Sequence, residues 1–556
     1  MNTDTFGLSQ PDGLPDERWL QELANKFFTS PPVPMGAVEG IPASVAGSGI
    51  SPSAVHQGNS VDLEDPMTSL PDPHFAGAGH VPASVAGSGR SPSADQMAGS
   101  VGSEAFSGVQ RPTEQWPFST DAAFYFISEK NAFVRSQPAL PTHAALPAAP
   151  YDVNLVRKDF PILQQYVNGR PLVWLDNAAT TQKPQPVIDR ISHYYEQENS
   201  NIHRAAHELA ARSTDAFEGA RDKVRHFLNA SSSNEIVFVR GATEAINLVA
   251  KSWGEQFLQS GDEIIVSHLE HHANIVPWQQ LAGAKGLKLK VIPVDDEGQV
   301  LLDAYSRLLG PRTKLVSFTQ VSNALGTITP ASKIVEMAHA VGAKALVDGA
   351  QAVSHMPVDV RALDADWYVF SGHKVFGPTG IGVLYGKEDL LNETAPWQGG
   401  GNMIKDVTFE HTTYQQAPAR FEAGTGNIAD AIGLGAAIDY VTRIGMDLIS
   451  QYEHYLLQYA TRLLTDIPGL RLIGTAPDKA GVLSFVLDGY RTEEVGAALN
   501  QSGIAVRSGH HCAQPILRRF GVESSVRPSL ALYNTCGDID ALIAVLHRLR
   551  TTRPRL

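Results

Sequence analysis

The chain has 556 residues and a formal net charge of −14 at neutral pH, with 18% charged and 43% hydrophobic residues. That acidity argues against general affinity for nucleic acid, and two cysteines at distant positions give no disulfide framework, which points to a reducing, cytoplasmic setting. The sequence holds no run of about 18 apolar residues and no basic stretch leading into an apolar core, so neither a membrane span nor a secretory signal is expected.

Composition changes sharply near residue 150. Residues 1–150 are rich in Pro, Gly, Ser and Ala and hold 15 Asp/Glu against 6 Lys/Arg, so −9 of the −14 resides there. Such a segment buries too little apolar surface to offset its ordering entropy and reads as largely disordered. It contains a repeat: Pro42-Ala43-Ser44-Val45-Ala46-Gly47-Ser48-Gly49, followed by Ser51-Pro52-Ser53-Ala54, recurs from Pro82 to Ala94. A duplicated linker is the plain reading, and a doubled docking motif that gains avidity is the sharper one. Two apolar islands interrupt this tail. Asp16 to Phe28 sets Trp19, Leu20, Leu23 and Phe27 on one helical face, and Trp116 to Val134 carries Phe118, Phe124, Tyr125, Phe126, Ile127 and Phe133. Apolar islands in a polar tail suit anchoring to a partner surface or to the rest of the chain.

From Asn154 onward, short apolar strands alternate with amphipathic helices, the signature of an α/β fold with a mostly parallel sheet. The strand Ile236–Val239 leads through Gly241-Ala242-Thr243 into a helical stretch, Glu244 to Ser252. A strand, a glycine turn and a helix start offer backbone N–H groups and a positive dipole end to a phosphate, with the Thr243 hydroxyl as a further donor. The strand Glu263–Val266 precedes Leu269-Glu270-His271-His272, which aims His271 at the same crevice. Paired histidines often mean metal, but no third ligand lies at zinc-like spacing, so no metal site is expected. His271 suits stacking on a flat ring and moving protons near neutral pH.

Strands follow at Lys288–Ile292, Leu315–Phe318, Ala345–Asp348, Trp367–Phe370 and Ile381–Tyr385. Asp348 closes one of them, and Lys374 follows another in Ser371-Gly372-His373-Lys374. Taken singly, these are more simply an N-cap aspartate and a surface lysine. Together they are what pyridoxal 5′-phosphate requires: a lysine for its aldehyde and a carboxylate for its ring nitrogen. Ser371 and His373, flanking the lysine, are candidates to complete the phosphate cradle.

Beyond about Gly435 come a helix, Met446 to Leu464, a strand, Gly481 to Leu487, and then Arg507-Ser508-Gly509-His510-His511-Cys512-Ala513. A thiol beside histidines and an arginine has neighbours that favour a nucleophilic thiolate. Cys536, just after Leu530-Ala531-Leu532-Tyr533, is closer to a structural cysteine. The expected organisation is a disordered tail over 1–150, a large cofactor-binding domain over 151–434 whose N-terminal segment contributes to the small lobe, and a small α/β domain over 435–556 that closes on the cofactor.

His271-His272-Ala273-Asn274-Ile275-Val276-Pro277-Trp278, Val347-Asp348-Gly349-Ala350-Gln351-Ala352, Ser371-Gly372-His373-Lys374, Phe421-Glu422-Ala423-Gly424-Thr425 and Arg507 to Ala513 resemble the signatures of the SufS-type (group II) cysteine desulfurases. These are class V members of the fold-type I pyridoxal phosphate enzymes. The resemblance runs from Val153 to Arg548 with the motifs in family order. It implies conversion of L-cysteine to L-alanine, with a persulfide on Cys512 passed to a SufE- or SufU-like acceptor for iron–sulfur assembly or sulfur storage. It also implies roles: Lys374, His271 and Cys512 catalytic; Asp348 at the ring nitrogen and Gln351 at the phenolic oxygen; Ala242, Thr243, Ser371 and His373 around the phosphate; Asn323 at cofactor and substrate. Arg527 would hold the substrate carboxylate, His203 and Arg507 would line the entrance, and Thr425 would reach the phosphate of the partner in a homodimer. One departure is Pro528, where the family usually has a small residue. An aminotransferase or kynureninase-like lyase would also use Asp348 and Lys374 but needs no cysteine loop; selenocysteine lyase is a closer rival.

SufS-type enzymes usually begin near the segment Val153 to Phe160. The long extension here resembles the tails of cargo desulfurases of family 2 encapsulins, which implies a shell protein as partner of residues 1–150 and enclosure of the cytoplasmic enzyme in such a compartment.

Overall fold

A computed structural model describes residues 152–202 and 207–552. All fall in the second of the two units into which the chain divides, Val134–Leu556. The readings made for residues 1–150 and for His203 lie outside the described residues.

The centre is a seven-stranded sheet. Its strands are β1 (Ile236–Val239), β2 (Glu263–Ser267), β3 (Lys288–Ile292), β4 (Thr313–Thr319), β5 (Lys344–Asp348), β6 (Trp367–Ser371) and β7 (Gly382–Gly386), in the order β1-β7-β6-β5-β4-β2-β3. Strands β2 to β6 pair in parallel, and β7 runs antiparallel to both of its neighbours. The sheet is therefore mostly parallel, as the alternation of strands and helices leads one to expect. Helices cover both faces of such a sheet, so its strands read as unbroken apolar runs. The strand period then divides those runs between two cores. Ile236, Phe238, Val316, Phe318, Val347, Tyr368 and Phe370 pack on one face, and Val237, Val239, Leu315, Leu346, Trp367 and Val369 on the other.

On the first face lies α1 (Glu208–Phe227), whose buried residues Ala210, Phe217, Ala220 and Val224 recur at helical spacing, and whose first turn is capped by the His207 ring. It packs against a long helix, Ile428–Ile444. The two approach closely because Gly435 has no side chain: a Cβ there would stand 2.9 Å from that of Ala220. On the other face α2 (Ala242–Val249) starts directly from the glycine turn and widens after Val249 into a π turn, Ala250–Gly254. Helix Ile428–Ile444, labelled α3, crosses the position at which the small domain is expected to begin. Its buried side belongs to the large core, and it stops at Gly445, with φ +99°.

A second, antiparallel sheet follows: β8 (Leu470–Ile473), β9 (Ser484–Leu487), β10 (Arg507–Gly509) and β11 (Ser525–Arg527), in the order β8-β9-β11-β10. The strand expected over Gly481–Leu487 is shorter, because Val482 bridges Ser529 outside the ladder. This sheet has its own core, in which Phe485, Leu487 and Val526 meet helices α4 (Met446–Thr465) and α5 (Cys536–Thr552). No described helix is long and apolar enough to cross a membrane.

Candidate active site

Open α/β sheets place their ligands beyond the carboxyl ends of the parallel strands, and a cavity of about 490 Å³ lies there. Strand β2 brings His271 to it, β4 brings Thr319 and Asn323, β5 brings Asp348, Ala350 and Gln351, and β6 brings Ser371, His373 and Lys374. The turn after β1 adds Ala242 and Thr243, the second sheet adds Arg507 and Arg527, and the loop after β10 adds His510, His511 and Cys512. Residues from five strand ends and a distant loop thus meet around one space. Of the described candidate site residues, only Thr425 is not placed there. Thr425 is exposed on a second hollow of about 400 Å³, where its hydroxyl lies 3.4 Å from Asn201 Oδ1.

Asp348 is buried, with Oδ1 accepting from the Ala350 N–H at 2.9 Å. Burial pushes its carboxyl up, opposed by the charge of Lys374. Burial pulls the Lys374 amine down, opposed by Asp348 and reinforced by Arg527. His271 is pulled down to about 3, first by burial and then by Lys374, His272 and Arg527, so it is neutral at physiological pH. Its Nδ1 accepts from the Ala273 N–H at 3.1 Å, which leaves the proton on Nε2. Behind it Glu270, fully buried and pushed up to about 8 by burial, accepts from the Thr319 N–H, Asn274 Nδ2 and the Ser267 hydroxyl, and so ties β2 to β4.

The phosphate-type turn depends on close backbone approach. A Cβ on Gly382 would stand 2.5 Å from Gly241 Cα, so β7 can lie under that turn because position 382 is glycine, while a Cβ on Gly241 would crowd Ser371 Oγ at 3.1 Å. Ser371 Oγ accepts from the Ala242 N–H at 2.9 Å, joining the end of β6 to the start of α2.

Arg527 is buried, pulled down to about 10 by burial, and still charged. Its Nη1 donates to the Asn323 carbonyl at 2.8 Å and Nη2 lies 3.5 Å from Asp176 Oδ1. Proline at 528 does not turn it away: β11 holds Arg527 in register with Arg507, and its side chain faces the cavity. Four buried polar atoms of cavity-lining residues have no partner: Asn323 Oδ1, Ser508 Oγ, His511 Nδ1 and Arg527 Nε. Buried polar atoms left unpaired are costly, and at Asn323 and Arg527 they mark where a polar ligand belongs, whereas Ser508 Oγ lies against Gly496. With a lysine, a buried carboxylate and a helix start beside them, the donor set fits a phosphorylated pyridine aldehyde together with an amino acid.

Sequence reading missed Asp176, which bridges Arg527 and the half-exposed Arg507 (3.2 Å). Its signal was present: Val173-Trp174-Leu175-Asp176 is an apolar run ending in aspartate, just as Ala345 to Asp348 is. It also missed the loop at 180–183. There the Thr180 hydroxyl, the Thr181 N–H and hydroxyl, and Lys183 Nζ all converge on the His373 carbonyl, one residue before Lys374. Nothing in the local sequence marks that loop.

Residues 173–542 match the aminotransferase class-V family. The chain is 67% identical over 446 residues to a cysteine desulfurase of Synechococcus elongatus, covering 77% of this chain and 71% of that protein. It is 53% identical to a cysteine desulfurase of Dickeya dadantii, covering 72% of this chain and 98% of that one. Among solved structures it resembles the cysteine desulfurase CsdA of Escherichia coli, with a TM-score of 0.68, 39% identity, and coverage of 73% of this chain and all of that one.

Proposed function

The chain belongs to the aminotransferase class-V family, and from that premise we propose that it is a pyridoxal 5′-phosphate-dependent cysteine desulfurase, turning L-cysteine into L-alanine and taking the sulfur onto Cys512. One observation carries the reading: an exposed thiol, Cys512, stands on the same cavity as Lys374, Asp348 and Arg527. Transamination would use the last three and leave the thiol idle.

Lys374 would hold the cofactor's aldehyde carbon, Asp348 its ring nitrogen, Gln351 its phenolic oxygen and His271 its ring face, with Ala242, Thr243, Ser371 and His373 around its phosphate. When bound, this group serves as an electron sink for the bonds broken at the substrate's carbons. Arg527 binds the substrate carboxylate with its unpaired N–H groups, and the unpartnered Asn323 Oδ1 turns toward the same ligand. Lys374, whose amine burial pulls toward its neutral, proton-accepting form, moves the proton at the substrate Cα. Neutral His271 offers its Nε2 proton and can take one back. The Cys512 thiolate attacks the substrate sulfur: an S–S bond forms, the Cβ–S bond breaks with its electron pair leaving toward carbon, and a proton delivered to Cβ completes the methyl group of alanine. Arg507, held by Asp176, lines the entrance.

The finer reading is a SufS-type enzyme acting as a cytoplasmic homodimer. Thr425 supports it, being exposed and away from its own cavity, where it is available to a partner's phosphate. The persulfide passes to a small SufE- or SufU-like acceptor. Composition, repeat and apolar islands support a tail, residues 1–150, that tethers the enzyme inside an encapsulin shell through multivalent weak contacts.

The test is the purified protein given L-cysteine and a reductant. Alanine and sulfide should form, the cofactor's visible absorbance should change, and Cys512→Ser should keep the absorbance while losing both products. Near-normal turnover in that variant would replace this mechanism with a lyase that needs no acceptor thiol.

A further inference from the structure

Cys512 sits in an unusual turn. His511 and Cys512 both have left-handed backbones, with φ +52° and +53°. That conformation is unfavourable for residues bearing side chains, and two in succession persist only where the surroundings hold them. Two histidines outside the roles assigned above do the holding. His510 Nδ1 accepts from the Cys512 N–H at 3.0 Å. His272 donates its own N–H to the Cys512 carbonyl at 2.8 Å and accepts at ring Nε2 from the Gln514 N–H at 3.3 Å. The two rings stack on one another, 5.8 Å between centroids and 28° between planes. Asn323 Nδ2 completes the set by donating to the His511 carbonyl at 2.7 Å.

Each imidazole accepts a hydrogen bond through one ring nitrogen, which a protonated ring cannot do. In this geometry each ring acts as an acceptor toward a backbone N–H of the turn. In this arrangement the two rings supply geometry to the turn that carries the thiol.

We propose that His272 and His510 are positioning residues, a pair of stacked imidazoles that clamp the 510–514 turn from the β2 side and from within, and so set where the Cys512 sulfur stands relative to the cavity. His272 comes from the end of β2, the strand that also delivers His271, so one strand end fixes both the proton-moving ring and the sulfur acceptor. The inference rests on the reading of Cys512 as that acceptor.

The test uses four variants of the cofactor-loaded enzyme. His510→Leu and His272→Leu remove the ring acceptors. His510→Asn places an amide oxygen near the former Nδ1, and His272→Gln places one near the former Nε2. Misplacing a reacting group by about 1 Å costs on the order of 100-fold, so the leucine variants should lose about 10- to 100-fold in kcat. Their KM for L-cysteine and their cofactor absorbance should not change. The amide variants should recover to within about threefold of wild type, because the acceptor is restored. Leucine variants that turn over at the wild-type rate would overturn the clamp. So would amide variants as slow as the leucine ones, which would mean the rings move protons, or a loss of cofactor absorbance in step with kcat, which would mean general damage. A second readout does not depend on the reaction: the rate at which iodoacetamide alkylates Cys512, resolved from Cys536 by mass spectrometry. It should change severalfold in the leucine variants and return in the amide ones. An unchanged rate sinks the clamp even if wild type proves active, whereas a wild type that makes no alanine sinks the functional reading and leaves this rate to judge the clamp.

Discussion

Replacing Arg527 by lysine tests how the substrate carboxylate is held. A guanidinium carries five N–H donors in a fixed plane. Nη1 is engaged by the Asn323 carbonyl at 2.8 Å, Nη2 reaches Asp176 only at 3.5 Å, and Nε has no partner. About three donors are then left for a two-point contact with a carboxylate. Lysine keeps the charge but gathers its donors on one atom, for which the Asn323 carbonyl and Asp176 compete. The expected loss is one charge-assisted hydrogen bond, about 1.5–3 kcal/mol. At a factor of ten for each 1.4 kcal/mol, that is about 10- to 150-fold in kcat/KM. Alanine formation measured against L-cysteine concentration gives the value, and cofactor absorbance checks that the site is intact. A kcat/KM within about threefold of wild type would refute the reasoning, since no charge-assisted bond is worth so little.

Two further outcomes follow from the same structure and sequence. Arg221, 1% exposed, donates to both carboxylate oxygens of Glu422 (2.7 and 2.9 Å) and to the Ile236 carbonyl (2.7 Å), so Arg221→Met should destabilise the protein by about 3–5 kcal/mol. Chemical denaturation reads this, and Arg221→Met/Glu422→Gln, which removes the unpaired charge and keeps an acceptor for the Phe238 N–H, should recover much of the loss; a double variant worse than the single would show that the unpaired carboxylate is not the cause. Deleting residues 1–150 should leave desulfurase activity intact and abolish co-purification with a co-expressed host shell protein, and a truncated enzyme that still loads into shells would count against the tether.

Much of the site was legible because its residues announce themselves locally. Asp348, Lys374 and His271 each follow an apolar strand, and a strand end in an α/β sheet is where a ligand-facing residue must lie. The glycine turn at 241 is likewise a local signal, since its physical requirement, close approach to Ser371 at a φ of +157°, is met by a residue type visible in the chain. The ends of elements were less legible. The strand expected from Gly481 begins at Ser484, and α3 runs through the expected lobe boundary, because both limits are set by what packs against the segment rather than by its own composition.

By itself the sequence determined the alternation of elements, the kind of cofactor and the candidate acceptor thiol, since these depend on residue types and short spacings. Only the tertiary structure decided which polar groups share a dielectric environment. Asp176 meets Arg507 and Arg527 from more than 300 positions away, and His272 stacks on His510 across a comparable separation. The left-handed backbone at Cys512 belongs to the same class: neither His511 nor Cys512 favours it, and contacts from β2 and from Asn323 impose it. Hydrogen bonds and burial act over a few ångströms of space regardless of chain distance, and for that reason the aim of the sulfur is a property of the fold.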